Sequence, residues 1–517
     1  MKLMVSVIIL PVLMGSLMLG MCKTASAAVT VTQSDVVTIF APSDDINLWK
    51  PGVSYPRIIE IQHNGSANGT LLSTFEMYTS GLSREKPGYP IYKSQDGGKT
   101  WNYVTTVRES EAAIQSEWQM FFFELPRKLG SMPAGTIILA AVSIDSGHAI
   151  KSAIRLYRSY DVGNTWEQYS TVATGGGLVS GVWEPFLMML DDGRLVCYYS
   201  DSTDYQNHSQ MLSYKVSSDG VNWGEAVHFV ALKDRTLRPG MATVCRLNNG
   251  KYFMTYEMVD EDNKDSGNPV TYRFSDDGLD WGDPEDPGTI LKTKQGYVPG
   301  SGPYCMFIPG VGKNGRIIVR GCFQTPGAPS RIGTYLYIND QNGEGQWDIM
   351  DQPLPYRSGG YSSAMFLSSD DVTLYLVNGV NNDESELDYY KIVFTKLVFS
   401  ESSVKTSSST AKESSAATAD QSSASDDTSS ASTASAAAKS ENNSATNAII
   451  SSTGASVNTG GRSHSTAWLI AVVGGICLCI AEAAVAIFVI LRKKNAATSV
   501  IASDGKKNPD PPEDSER

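Results

Sequence analysis

Ser94-Gln95-Asp96-Gly97-Gly98-Lys99-Thr100-Trp101 is the first of four copies of one signature; Ser159-x-Asp161-x-Gly163-x-Thr165-Trp166, Ser217-x-Asp219-Gly220-x-x-Trp223 and Ser275-x-Asp277-Gly278-x-x-Trp281 follow. The copies stand about 60 residues apart, and a fixed period of that length marks a repeat architecture, one supersecondary unit stacked many times. Asp and Gly form a tight turn between two strands, and the Trp packs back over the hairpin. A second periodicity is phased against the first. Its copies run from Tyr55-Pro56-Arg57 to Glu76, Glu124-Leu125-Pro126 to Ser143, Trp183-Glu184-Pro185 to Asp201, Leu237-Arg238-Pro239 to Glu257, Gly302-Pro303-Tyr304 to Phe323, and Tyr361-Ser362-Ser363 to Asn378, six in all. Each reads as an inner hairpin of two buried strands, with the Asp-Gly signature turning the outer hairpin of the same blade. The sequence predicts an all-β fold, a six-bladed β-propeller of four-stranded antiparallel blades. In the fifth copy the signature survives only as Asn339-Asp340 and Trp347, and the sixth has none. The sixth blade is therefore expected to take its outer strands from Tyr389 to Phe399 and from the N-terminal run Val29 to Phe40, closing the ring.

The signatures resemble the Asp-boxes of sialidase-type β-propellers. The rest of the 517-residue chain divides around the propeller, expected over 29–400. Residues 1–28 read as a signal peptide: Lys2, the apolar run Val5 to Leu19, then Ala25-Ser26-Ala27 as a cleavage site. Met21 before Cys22 argues against a lipoprotein signal. Residues 401–465, rich in Ser, Ala and Thr, read as a disordered stalk, because they cannot bury enough apolar surface to offset the entropy of ordering. Residues 466–491 read as one transmembrane helix and 492–517, opening with Arg492-Lys493-Lys494, as a cytoplasmic tail, so the expected location is the cell surface with the propeller outside. Glu482 inside the span reads as a single protonated or paired acid. Val457-Asn458-Thr459-Gly460 lacks the Leu-Pro of a sortase signal, which favours plain membrane anchoring.

A formal net charge of −13 argues against a nucleic-acid partner. The five histidines show no ligand spacing, so neither a metal site nor a cofactor is expected. Of seven cysteines, four fall within the propeller; Cys197, Cys245, Cys305 and Cys322 read as buried thiols, with Cys305 and Cys322 the first pair to test for a bridge.

In a blade of antiparallel strands A to D, the A–B and C–D turns share one end of the ring, and the starts of A and ends of B crowd the central funnel at the other. The polar residues assigned to that face are Tyr55, Arg57, Glu76, Glu124, Glu184, Asp201, Arg238, Glu257, Tyr304 and Tyr361. Carboxylates gathered at an axial cavity, without a Ser-His arrangement or phosphate loop, point to glycoside hydrolysis: one carboxyl protonates the leaving oxygen, and the other attacks the anomeric carbon or activates water. Glu184 and Glu257 are neighbours across the funnel in apolar settings, and the residues alone leave open which is the acid.

Trp183-Glu184-Pro185-Phe186-Leu187, Tyr198-Tyr199-Ser200, Arg238-Pro239-Gly240-Met241 and Tyr256-Glu257, with Ser54-Tyr55-Pro56-Arg57 in the first blade, resemble the exo-α-1,5-arabinanases of glycoside hydrolase family 93. The resemblance implies retention of configuration, with Glu184 as nucleophile, Glu257 as acid/base and a tyrosine of the last blade, Tyr361, beside the nucleophile. Tyr55, Arg57, Glu124, Asp201, Arg238 and Tyr304 are the expected substrate contacts, and an oligo- or polysaccharide is the expected substrate. Asp201 and Asp204 stand where the family tends to have a glutamate. Two alternatives remain: an exo-α-sialidase using Arg57, Arg238 and Arg320 or Arg357, and a non-catalytic carbohydrate-binding propeller.

Overall fold

A computed structural model describes residues 29–42, 48–79, 88–109, 114–145, 151–263, 266–325, 335–351, 354, 362–380 and 391–401. They form a six-bladed propeller of four-stranded antiparallel blades. Blade one comprises Leu48–Glu60, Leu71–Thr79, Tyr89–Ser94 and Asn102–Val107; blade two Ile114–Glu124, Ile137–Asp145, Lys151–Ser159 and Glu167–Thr174. Blade three comprises Val182–Met189, Leu195–Asp201, Met211–Ser217 and Val227–Val230; blade four Leu237–Arg246, Tyr252–Asp260, Val270–Ser275 and Thr289–Ile290. Blade five is Tyr304–Ile308, Arg316–Arg320, Tyr335–Asn339 and Asp348–Asp351. Blade six takes Ala364–Leu367, Thr373–Val380 and Lys391–Glu401 from the C-terminal side and Val29–Gln33 as its outermost strand, with Val37–Phe40 also pairing on Lys391–Glu401. The ring thus closes between the two ends of the described chain, as the missing sixth signature implied. A two-stranded ribbon, Val298–Gly300 with Phe323–Thr325, joins blades four and five.

Each Asp-box is a small hydrogen-bond cage. Asp96 Oδ1 accepts from the amides of Lys99 and Thr100, Asp96 Oδ2 from the Thr100 hydroxyl, and Ser94 Oγ from the Gly98 amide, while Trp101 Nε1 donates to the Gly98 carbonyl. These donors hold the Asp96 carboxyl well below the usual range. In blade five Asn339 Oδ1 takes over the cage by accepting from Gln341 and Gly343, which frees Asp340 to bind Arg316 through two nitrogens.

The glycine of each box packs against the preceding blade. A Cβ placed on Gly98 would lie 2.1 Å from Phe394 of blade six, on Gly163 2.8 Å from Leu72 of blade one, and on Gly220 2.4 Å from Met132 of blade two. On Gly278 it would lie 3.0 Å from Leu190 of blade three, and on Gly343 2.6 Å from Phe274 of blade four. The boxes therefore do more than turn a hairpin: they fill the wedge between neighbouring blades, and Trp101 stacks edge-on against Phe394 where the ring closes.

One reading is corrected. Blade two is phased differently from its expected copy: its inner strands are Ile114–Glu124 and Ile137–Asp145, paired Glu124 to Ile137, so Glu124-Leu125-Pro126 opens the turn between them and not the first strand. Pro126 is a misleading marker of a strand start, because it sits in a turn where its missing amide costs nothing. The four propeller cysteines are free and buried, as read from the sequence, and Cys305 and Cys322 are not bridged: Cys305 Sγ donates to Thr243 O and Cys322 Sγ accepts from Ser362 N. The expected signal peptide, stalk, transmembrane helix and tail lie outside the described residues.

Gly98→Ala meets both a backbone at φ +89° and the Phe394 ring, whereas Gly250→Ala meets φ +85° with nothing within 4 Å. Thermal unfolding is expected to show Gly250→Ala losing about 1 kcal/mol and Gly98→Ala losing at least twice that; equal shifts would mean that the box does not seal the wedge.

Candidate active site

The inner strand of every blade carries, within it or just before it, one residue in the left-handed region: Tyr55 (φ 51°), Gln119 (52°), Glu184 (56°), Met241 (59°), Ser301 (56°) and Ser362 (54°). In blades one to four it marks a β-bulge, seen as register shifts at Ser54/Arg57, Trp118/Phe121, Trp183/Phe186 and Gly240/Thr243. A bulge re-aims the backbone. Here it turns amides towards an acceptor of the preceding blade. Gln119 N donates to Glu76 Oε1 (2.8 Å), Glu184 N to Gln119 Oε1 (3.1 Å) and Met241 N to Glu184 Oε2 (3.2 Å). Gly302 N donates to Glu257 Oε2 (2.9 Å) and Ser362 N to Cys322 Sγ (3.4 Å). Arg57 of blade one closes the circuit by donating to Ser362 O (2.6 Å) and Ser362 Oγ (2.8 Å).

Glu184 and Glu257 are the two carboxylates at the centre of this relay. Glu184 Oε2 also accepts from Ser200 Oγ (2.5 Å), and its Oε1 from Gln119 Nε2 (3.3 Å). Glu257, 3 % exposed, accepts from Ser301 Oγ (2.9 Å) and Gly302 N through Oε2 alone. Gly240-Met241 lies between them: the Met241 amide holds Glu184, while a Cβ on Gly240 would stand 3.4 Å from Glu257 Oε1. Part of Glu184 borders the funnel, but surrounding protein strips most of its bulk water. That desolvation, and next the charge of Glu257, push its carboxyl up to about 7; Ser200, Arg238 and the Met241 amide oppose the shift. Glu76 is also raised, by burial first, although Gln119 N, Tyr78 Oη and Ser54 Oγ donate to it.

A narrow cavity with free space of about 10 Å³, enough for a single water, opens beside Glu184, bordered by Tyr55, Arg57, Phe186, Met241, Tyr304 and Ser362. The Arg57 guanidinium lies 3.8 Å over the Tyr55 ring and 5.7 Å from that of Tyr304. Burial pushes the Tyr304 hydroxyl up to about 12 and holds Tyr55 higher still, so both phenols stay neutral. Arg238 is near enough to act on Glu184. The structure thus brings Tyr55, Arg57, Glu184, Arg238, Glu257 and Tyr304 together.

It does not bring Glu124 or Asp201 there. Glu124 sits at the opposite end of its strand, accepting from Gln62 N, His63 N and Asn64 Nδ2 of the blade-one turn. Asp201 ends its strand with the carboxylate turned towards the outer strands, where Thr203 and Ser213 donate to it; strand alternation puts its neighbour Ser200, not Asp201, on Glu184. Tyr361 and Arg357 lie outside the described residues. Arg320, of the sialidase alternative, is buried within its strand, 1 % exposed. Gln119 was missed. Its signal was present, since Trp118-Gln119-Met120-Phe121 matches Trp183-Glu184-Pro185-Phe186, and Phe121 and Phe186 pack with centroids 4.4 Å apart. Among the described residues no cluster of three His, Cys, Asp or Glu side chains is placed to hold a metal ion.

Residues 69–295 match the BNR repeat-like domain family. Among solved structures, an α-L-arabinanase of Penicillium chrysogenum complexed with arabinobiose is 33 % identical, with a TM-score of 0.61 over 71 % of this chain and 98 % of that one. An α-L-arabinofuranosidase of Fusarium graminearum bound to an iminosugar inhibitor is 30 % identical (TM-score 0.60; 71 % and 98 % covered). The family 93 arabinofuranosidase of the same organism in complex with arabinobiose is 29 % identical (TM-score 0.59; 70 % and 97 %). No curated protein sequence matches.

Glu184 has its carboxyl raised on folding, from 4.5 to about 7, so the folded state holds the proton more tightly than the unfolded one and stability falls as pH rises through that interval. Glu184→Gln carries no such charge. Its melting temperature relative to wild type is expected to climb by several degrees between about pH 4 and pH 8; a difference independent of pH would show that Glu184 is not held in this desolvated state.

Proposed function

This chain belongs, with those fungal arabinanases and arabinofuranosidases, to glycoside hydrolase family 93, and from that premise we propose that it is an exo-acting, retaining hydrolase of α-1,5-linked arabinan or a closely related neutral glycan. The observation that carries the reading is the Glu184–Glu257 pair, held by separate donors on either side of Gly240-Met241. Glu184, fixed through both oxygens, is the nucleophile; Glu257, with hydrogen bonds to Oε2 only, keeps Oε1 for proton transfer. Protonated Glu257 gives its proton to the glycosidic oxygen as a Glu184 oxygen bonds to the anomeric carbon and the glycosidic bond breaks. Water, giving a proton back to Glu257, then displaces Glu184 with the configuration retained. While Glu257 carries the proton its charge no longer raises Glu184, and the Ser200, Arg238 and Met241 contacts then favour the ionised carboxylate against burial.

The Tyr55 and Tyr304 rings and the Arg57 guanidinium border the opening beside Glu184 and support the binding of one end of a glycan there. Surface display is supported by the apolar segment 466–491 and the Arg492-Lys493-Lys494 that follows it.

The full chain is expected to release short arabinose products from linear arabinan and to leave a fluorogenic sialoside intact. Glu184→Gln removes turnover. Glu257→Gln lowers it about 10²–10⁴-fold, spares an aryl arabinoside whose leaving group needs no proton, and is accelerated by azide. Sialoside cleavage, or wild-type turnover in Glu184→Gln, would sink this reading; a glycosyl azide of retained configuration from Glu184→Gln and an inverted one from Glu257→Gln would exchange the two roles.

A further inference from the structure

We propose that Gln119, anchored through Glu76, is a positioning residue that sets the orientation and ionisation of Glu184, an inference that rests on Glu184 being the nucleophile. The side-chain amide of Gln119 grips Glu184 twice. Its Oε1 accepts from Glu184 N (3.1 Å) and its Nε2 donates to Glu184 Oε1 (3.3 Å). One orientation alone serves both contacts, since the amide N–H needs an acceptor and the carboxylate a donor. The first contact holds the backbone at φ 56°, a conformation that a side chain as large as glutamate adopts only under constraint; the second steadies the carboxylate oxygen that faces away from Ser200 and Met241. Gln119 is itself fixed in a left-handed bulge, with its amide on Glu76 Oε1 (2.8 Å). Glu76 in turn is held through Oε2 by Tyr78 Oη (2.8 Å) and Ser54 Oγ (3.2 Å). A line of hydrogen bonds therefore runs from blade one through blade two into the nucleophile of blade three. Neither Glu76 nor Gln119 borders the cavity, so their effect passes through Glu184.

The substitutions separate the two contacts. Gln119→Glu keeps an acceptor for Glu184 N but replaces the donor to the carboxylate with a like charge; Gln119→Ala removes both. Glu76→Ala removes the acceptor for Gln119 N, and Glu76→Gln restores one. The readouts, in the full chain, are kcat and KM on linear arabinan and the pH titration of the Glu184 carboxyl by ¹³C-glutamate NMR, its resonance identified by loss in Glu184→Gln. In Gln119→Glu the titration is expected to move about one pH unit higher, because a donor to the charged form is lost and a carboxylate is added. The value of kcat is expected to fall about 10–100-fold, as for other residues that orient a reacting group, with KM changed less than about threefold. Glu76→Ala is expected to behave like Gln119→Ala, and Glu76→Gln to recover most of the lost rate. A Glu184 titration unmoved in both Gln119 variants overturns the proposal, and so does equal activity of Glu76→Ala and Glu76→Gln. Should Gln119→Ala fail to fold, Gln119→Glu and the Glu76 pair decide. Wild-type turnover in Glu184→Gln would instead refute the assignment of the nucleophile, a failure that the titration distinguishes from this one.

Discussion

Six left-handed residues at the axis are the constraint on which the rest of the structure depends. Each costs about 1–2 kcal/mol relative to a right-handed backbone, and a closed ring of them persists only because each turn brings a hydrogen bond with it. Three of the resulting acceptors are carboxylates, Glu76, Glu184 and Glu257, and a hydrogen bond to a charged group contributes about 1.5–3 kcal/mol. The exchange favours the bulge where the acceptor is charged. It also solves the opposite problem, since a carboxylate deep in protein needs donors that do not move, and a backbone amide locked in a bulge is such a donor.

The dependence between blades runs in the same direction at both ends of the ring. On the funnel side a bulge amide reaches back to the preceding blade; on the other, each Asp-box glycine packs against the preceding blade. The circuit closes between blades six and one through different chemistry at each end, Arg57 on Ser362 above and Gly98 with Trp101 on Phe394 below. Blade six has no box of its own because its C and D strands come from the two ends of the described chain, which leaves no turn to build. The strand Val29–Gln33 pairs along Leu397–Glu401 instead.

The ring was legible because its determinants are local. Asp, Gly and Trp must lie within eight residues of one another to cage a turn, so their period survives in a single sequence and fixes both the blade count and the direction of each strand. Glu184, Glu257, Arg57, Arg238, Tyr55 and Tyr304 followed from strand direction plus one resemblance. What failed was whatever depended on a single residue step. Asp201 was misplaced because consecutive strand residues face opposite ways, so the site residue at that strand end is Ser200. Glu124 was misplaced by a whole strand, because Pro126 marks the turn after the strand that Trp118 and Phe121 register on blade three. The bulges share no residue type, since Tyr, Gln, Glu, Met and two Ser occupy them, and the one sequence signal for Gln119 is the Trp-x-x-Phe match of blades two and three.

That indifference of the bulge to residue type is informative in itself. A left-handed position normally selects glycine, asparagine or aspartate, and none of the six is one of these. The conformation is therefore imposed from outside the residue, by the hydrogen bond to the neighbouring blade and by strand pairing on either side. Glu184 illustrates the consequence most sharply, because it occupies a bulge and also accepts the amide of the next one. Its side chain and its backbone are both tied to neighbouring blades, so a change in how blades two, three and four pack would move the carboxylate and its donors as one unit. In this propeller the geometry of the Glu184–Glu257 pair is a property of the ring, because each carboxylate takes a backbone donor from the following blade.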